Sequence, residues 1–68
     1  MMTTRSYTVT GMTCHHCVAS VTEEVHGIPG VEEVEVSLDT GALTVVSAEP
    51  VDDSAVRAAV EAAGYRVA

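Results

Sequence analysis

The chain has no lysine, no tryptophan and no phenylalanine, and its only cations are three arginines set against ten acidic residues, for a net charge of −7. So few basic residues exclude a nucleic-acid interface, whose affinity comes largely from neutralising phosphates. The same sign argument disfavours an anionic membrane surface. With two tyrosines as the only aromatic rings, the core has to be assembled from small aliphatic side chains. No apolar run approaches the roughly 20 residues needed to cross a bilayer. The opening stretch Met1-Met2-Thr3-Thr4-Arg5-Ser6-Tyr7 lacks the apolar block of a secretory signal. A cytoplasmic address is the expectation, and in that reducing compartment a close cysteine pair points to metal binding or redox chemistry rather than a structural disulfide.

What the chain does contain is enough apolar material, 47% of 68 residues, for one small globular domain spanning residues 1–68. Tyr7-Thr8-Val9-Thr10 alternates apolar with polar and predicts a strand over residues 5–10, which Gly11 breaks. Val18, Val21, Val25 and Ile28 recur at spacings of three and four and predict a helix from about His16 to His26, ended by Gly27 and Pro29-Gly30. Val34, Val36 and Leu38 alternate with Glu33, Glu35 and Ser37, a half-buried strand with an acidic outer face. Asp39-Thr40-Gly41 is turn chemistry, and Leu43 and Val45 continue the hairpin up to Pro50. A second helix, capped by Asp52 or Asp53, carries Val51, Val56, Ala59, Val60 and Ala63 on its apolar face and ends at Gly64. Residues 65–68 are left for a last short strand. The order strand, helix, strand, strand, helix, strand implies an α+β, ferredoxin-like sandwich with two helices on one face of a four-stranded antiparallel sheet.

The chemistry is concentrated in Gly11-Met12-Thr13-Cys14-His15-His16-Cys17, which holds both cysteines and two of the three histidines. Thiols separated by two residues can converge on one ion. Cys17 falls in the first turn of the predicted helix, where unpaired N–H groups and about half a positive charge favour a thiolate and lower its pKa. Two thiolates around a monovalent ion leave about one negative charge, which the helix end partly offsets, a balance that suits copper(I). Structural zinc prefers four ligands and iron–sulfur clusters usually need four cysteines, whereas the chain offers two thiols. His26 lies at the wrong end of the helix to complete such a set. Thiolates bind zinc as well as copper(I), so ligand count rather than softness separates the two.

The motif Gly11 to Cys17 followed by Val18 and Val21 resembles that of the heavy-metal-associated domain family. Further matches are Ile28-Pro29-Gly30-Val31, the Asp39-Thr40-Gly41 turn and Ala63-Gly64-Tyr65, so that the resemblance covers essentially the whole chain. Within the family it is most similar to free-standing bacterial copper chaperones, which often have His at the position of His16 and Tyr at that of Tyr65. The resemblance implies copper(I) held by Cys14 and Cys17 and delivered to a copper-transporting P-type ATPase, with a copper-responsive regulator as a further partner and a copper-bridged homodimer as a further form. Zinc and cadmium relatives tend to carry Asp before the first cysteine, where this chain has Thr13. Mercury-binding relatives share the Met-Thr form but usually carry a secretion signal.

For each residue a plainer role competes. Met12 is a thioether, yet as the loop's lone large apolar residue it is placed in packing, with a supporting role near the metal as the alternative. His15 and His16 are loop histidines of the kind that more often solvate than ligate, and His16 is the better candidate for an auxiliary ligand. Tyr65 divides between packing and hydrogen bonding beside the loop. His26 is a dipole-compatible surface residue. The acidic chain is expected to dock on an acceptor with basic residues around its own metal loop. Two rival functions remain: a metal-binding domain belonging to an ATPase, against which Met1 and the lack of linker sequence speak, and a thiol-disulfide oxidoreductase, against which the short chain and the absence of an aromatic residue before Cys14 speak. No enzymatic activity is expected.

Overall fold

The computed structural model describes residues 2–68; Met1 lies outside the described residues. Six elements follow one another: β1 (Thr3–Thr10), α1 (His15–His26), β2 (Val31–Val36), β3 (Ala42–Ser47), α2 (Asp53–Ala62) and β4 (Arg66–Val67). The strands form one sheet in the order β2-β3-β1-β4 with every neighbouring pair antiparallel. This is the α+β, ferredoxin-like arrangement that the sequence pattern implies.

One face of the sheet is apolar because the strands alternate. Val9 from β1 and Leu43 and Val45 from β3 point to it and are at most 3% exposed. Val21 and Val25 from α1 and Val56 and Val60 from α2 meet them and are fully buried. Val51 and Val56 occupy the positions just before and one turn into α2, the spacing of a hydrophobic staple, and Val51 packs against this cluster.

Four details depart from the sequence reading. First, β2 is shifted toward the N-terminus, from Val31 to Val36, and Leu38 lies in the turn. Ser37 N–H donates to Ala42 C=O at 2.8 Å and Gly41 N–H to Ser37 C=O at 2.8 Å, so the loop starts at Leu38. A bulge between Val31 and Glu33 obscures the start of the strand by interrupting its alternation. Second, the buried stripe of α1 is Cys17, Val21 and Val25, each four residues apart, whereas Val18 is only half-buried. Third, neither Asp52 nor Asp53 caps α2 with its side chain. Asp53 instead accepts from the Tyr7 hydroxyl at 2.8 Å and from Arg5 at 3.2 Å, pinning the start of α2 to β1. Burial, and then the bond to Asp53, holds the Tyr7 hydroxyl above its ordinary pKa. Fourth, the last strand is only Arg66–Val67.

Two glycines set the ends that frame the loop after β1. Gly64, at φ 95°, follows α2 in the left-handed region, and Tyr65 N–H and Gly64 N–H return to the carbonyls of Val60 and Glu61 at 3.1 and 2.9 Å. This paired closure of a helix end turns the chain sharply and delivers Tyr65 toward the sheet's end. Gly41, at φ 74°, lies so close to β1 that a Cβ there would sit 2.6 Å from the Val9 carbonyl oxygen. Its own carbonyl accepts from Val9 N–H at 2.7 Å. Gly64→Ala should therefore destabilise by about 1–2 kcal/mol, the strain of a left-handed residue alone. Gly41→Ala should lose clearly more, because backbone must also move. Urea unfolding of both variants checks the order, and equal losses would refute the steric argument.

Candidate metal centre

The loop between β1 and α1 brings the two thiols together through the local fold of the helix start. Cys14 is the residue at which α1 begins, with extended backbone (φ −156°, ψ 172°), and its carbonyl accepts from Cys17 N–H at 3.1 Å and from Val18 N–H at 3.4 Å. That first turn places Cys14 Sγ 3.4 Å from Cys17 Sγ, with both thiols free. The pair is unequal. Cys14 is exposed, whereas Cys17 is 7% exposed and continues the buried stripe of α1. The apolar periodicity of α1, read from Val18, Val21, Val25 and Ile28, leaves Cys17 out of the buried face. The four-residue spacing from Cys17 to Val21 was the signal that Cys17 shares the helix's buried face.

The electrostatics of Cys17 follow from its neighbours. The backbone N–H of Thr13 contributes most to lowering its pKa, from the usual 9.0 to about 6, followed by the Tyr65 hydroxyl and then the Cys14 thiol and N–H, while burial works in the opposite direction. Thr13 Oγ1 stands a further 3.9 Å from the sulfur. The low pKa agrees in direction with the acidic character expected at a helix start, and hydrogen bonds from Thr13, Tyr65 and Cys14 are its source. Tyr65 is correspondingly raised, chiefly by its bond to Cys17. Its ring also borders the loop's entrance, since a Cβ at Gly11 would stand 3.5 Å from Tyr65 Cδ1. Met12 is half-buried and packs against the core.

A family model for the heavy-metal-associated domain matches residues 6–66. The chain belongs to that family. A solved structure of a CopZ metallochaperone superimposes on this heavy-metal-associated domain with a TM-score of 0.91 at 31% identity, covering 97% of this chain and 100% of that one. Copper-transporting ATPase 1 of Rhizobium meliloti (strain 1021) is 40% identical over 63 residues, 93% of this chain and 8% of its own length. The mercuric reductase of Acidithiobacillus ferrooxidans is 41% identical over 59 residues, 87% of this chain and 11% of its own length. The chain thus spans a small fraction of these two longer relatives.

The remaining motif residues stand apart from the thiols. His15 and His16 are exposed at the first two positions of α1, and among the described residues no group of three His, Cys, Asp or Glu side chains converges to hold an ion. His26 is exposed at the last residue of α1. The acids are spread over several elements, and Glu61 lines one groove together with Tyr65 and Arg66. Glu23 and Glu24 lie about two turns along α1 from Cys17, Glu32, Glu33 and Glu35 are on or beside the edge strand β2, and the charged residue next to Tyr65 is Arg66.

Because the Cys17 thiol ionises near 6 in the fold and near 9 when free, its thiolate form adds stability that is complete above about pH 9 and lost as the pH falls through about 6. The metal-free, reduced protein should therefore show a first thiolate absorbance step near pH 6. Tyr65→Phe should move that step upward by removing a donor to the sulfur. A step unmoved by the substitution would exclude Tyr65 as a source of the low pKa.

Proposed function

We propose that this protein is a copper chaperone of a single domain, which binds copper(I) between Cys14 and Cys17 in the cytoplasm and passes it to a copper-transporting P-type ATPase. The observation that carries the reading is the pair of free thiols 3.4 Å apart at a helix start, one already inclined to the thiolate form near neutral pH. Two soft, anionic donors, joined among the described residues by no third His, Cys, Asp or Glu side chain, suit a low-coordinate soft cation better than zinc, which seeks four ligands. Mercury, handled by one relative, meets the same chemical description, but the chaperone-like extent of the match and the copper-transporting relative favour copper. Copper is cargo here, and its transfer needs no bond-making on any substrate, so the protein is not an enzyme.

Transfer follows from the inequality of the two thiols. If each metal–sulfur bond is roughly 2.3 Å long, as for zinc thiolates, a linear pair holds its sulfurs about 4.6 Å apart, so loading must open the present gap by about 1 Å. A thiolate of the acceptor reaches the ion from the exposed side and bonds to it as Cys14 or Cys17 lets go, and a second acceptor thiolate then bonds as the remaining cysteine leaves, so that the ion keeps two sulfur ligands throughout. His16, exposed one position before Cys17, is reserved in this reading for an auxiliary role when metal is in excess. The ATPase-domain reading, favoured by the 93% of this chain that matches within Copper-transporting ATPase 1, predicts the same metal chemistry and differs in the gene, which would encode the membrane segments in the same reading frame.

Anaerobic titration against a chromophoric copper(I) chelator should give one tightly held copper(I) per chain, released by Cys14→Ser or by Cys17→Ser. Copper(I) retained by the double variant, or bound no more tightly than zinc, would overturn the proposal. The two single variants should differ in stability. Exposed Cys14→Ser should stay within about 0.5 kcal/mol of the parent, whereas Cys17→Ser sets a hydroxyl against the core and should lose about 1 kcal/mol or more, a loss readable in metal-free urea unfolding.

A further inference from the structure

β1 is eight residues long, yet β4 covers only its end: the two pair at Val9↔Val67 and Thr10↔Arg66, and Ala68 N–H donates to Thr8 C=O at 2.7 Å. On its other side β1 pairs with β3 from Thr3 to Thr8. Along a strand, the N–H and C=O of each residue point to one side, and the side alternates from residue to residue. Val9 N–H bonds to Gly41 on the β3 side and Thr8 C=O bonds to Ala68 on the β4 side. Arg5 and Tyr7 therefore address β3, and Thr4 and Ser6 turn their N–H and C=O groups outward. Among the described residues no strand meets them there. The open run borders a groove of about 430 Å³ whose walls include Ser6, Tyr7, Asp53, Arg57, Val67 and Ala68.

The sheet's opposite edge is defended. β2 is bulged between Val31 and Glu33 and exposes Glu33 and Glu35, features that keep a second strand away. The open run of β1, Thr3-Thr4-Arg5-Ser6-Tyr7, has no bulge and no proline, and three of its five residues are Thr or Tyr, which favour strands. Charge divides the same way. All three cations, Arg5, Arg57 and Arg66, belong to β1, α2 and β4, where Asp52, Asp53 and Glu61 balance them. The net charge of −7 thus resides entirely in α1, β2 and the loops around β3. Arg5 is already bound to Asp53 at 3.2 Å, whereas Arg57, in the groove wall, has no ion-pair partner among the described residues.

We propose that the open edge of β1 is a docking site for an extended, carboxylate-bearing segment of a partner protein, which adds as a strand beside Thr3–Tyr7 and sets a carboxylate against Arg57. Strand addition draws affinity from main-chain bonds and selectivity from alternate side chains. Here Thr4 and Ser6 supply the main-chain groups and Arg57 the selectivity. The open run is the half of β1 remote from Gly11, so a docked segment leaves Cys14 uncovered. This surface holds a partner while the cysteines remain free, and it does not depend on which metal they bind.

The test is amide hydrogen exchange by NMR on the full chain with an end-blocked probe peptide, Val-Glu-Val-Glu-Val-Thr, and its counterpart with lysine in place of glutamate. The acidic peptide should slow exchange of the Thr4 and Ser6 amides roughly tenfold or more while leaving Arg5 and Tyr7, already bonded to β3, unchanged. Arg57→Glu, an exposed helix substitution that leaves the fold intact, should weaken binding roughly tenfold, the worth of one charge-assisted bond. Ser6→Pro, which removes one outward N–H, should abolish protection at the edge. Protection that fails to appear at Thr4 and Ser6, an equal response to the lysine peptide, or indifference to Arg57→Glu would each overturn the proposal. So would concentration-dependent protection without any peptide, which would assign the edge to a second copy of this chain.

Discussion

The packing of α1 against the sheet is the constraint on which the site depends. Cys17, Val21 and Val25 form one buried stripe, so the interaction that seals the core also fixes one of the two thiols. In a chain without phenylalanine or tryptophan, this stripe and its valine counterparts on α2 and β3 must fill the interior with small side chains, which tolerate little displacement. A sulfur anchored there keeps its place and its hydrogen-bond donors without needing a rigid loop. The acid strength of Cys17 is thus a by-product of position: the same burial that would raise its pKa brings it within reach of the Thr13 N–H and the Tyr65 hydroxyl, which together prevail.

Parts distant in sequence complete the surroundings of the loop. The hairpin between β2 and β3 reaches back through Gly41 to grip Val9, two residues before Gly11, and the closure of α2 swings Tyr65 over the loop's entrance. Two connections that differ in origin therefore meet beside the loop at one end of the sheet. Neither supplies a ligand, but each restricts how the Gly11 to Cys14 segment leaves the strand.

Much of this was legible in the sequence where period and chemistry coincide. The alternation of Leu43 and Val45, the helical spacing of Val21 and Val25, and Gly64 after α2 each have one physical reading, and the fold class follows from their order. The failures occurred where one residue answers two demands. Cys17 was counted as chemistry and so omitted from the apolar stripe it continues. Asp52 and Asp53 both stand where a cap is expected at the start of α2, but the Tyr7 and Arg5 side chains claim the Asp53 carboxylate from across the fold, and no local pattern announces them. Leu38 extends a perfect alternation into what is a turn, because the Ser37–Ala42 pairing closes the hairpin earlier than periodicity alone can reveal. The acidic composition was evident, but the confinement of its unbalanced excess to α1, β2 and the neighbouring loops requires the topology.

The inequality of exposure between Cys14 and Cys17 makes the site a vice with one fixed jaw. Cys17 is cast into the body of the tool, and Cys14 stands at its open side, at the end of a short arm between β1 and the helix start. A cargo seated between them, as proposed, would rest on one sulfur that the core holds and one that solvent reaches.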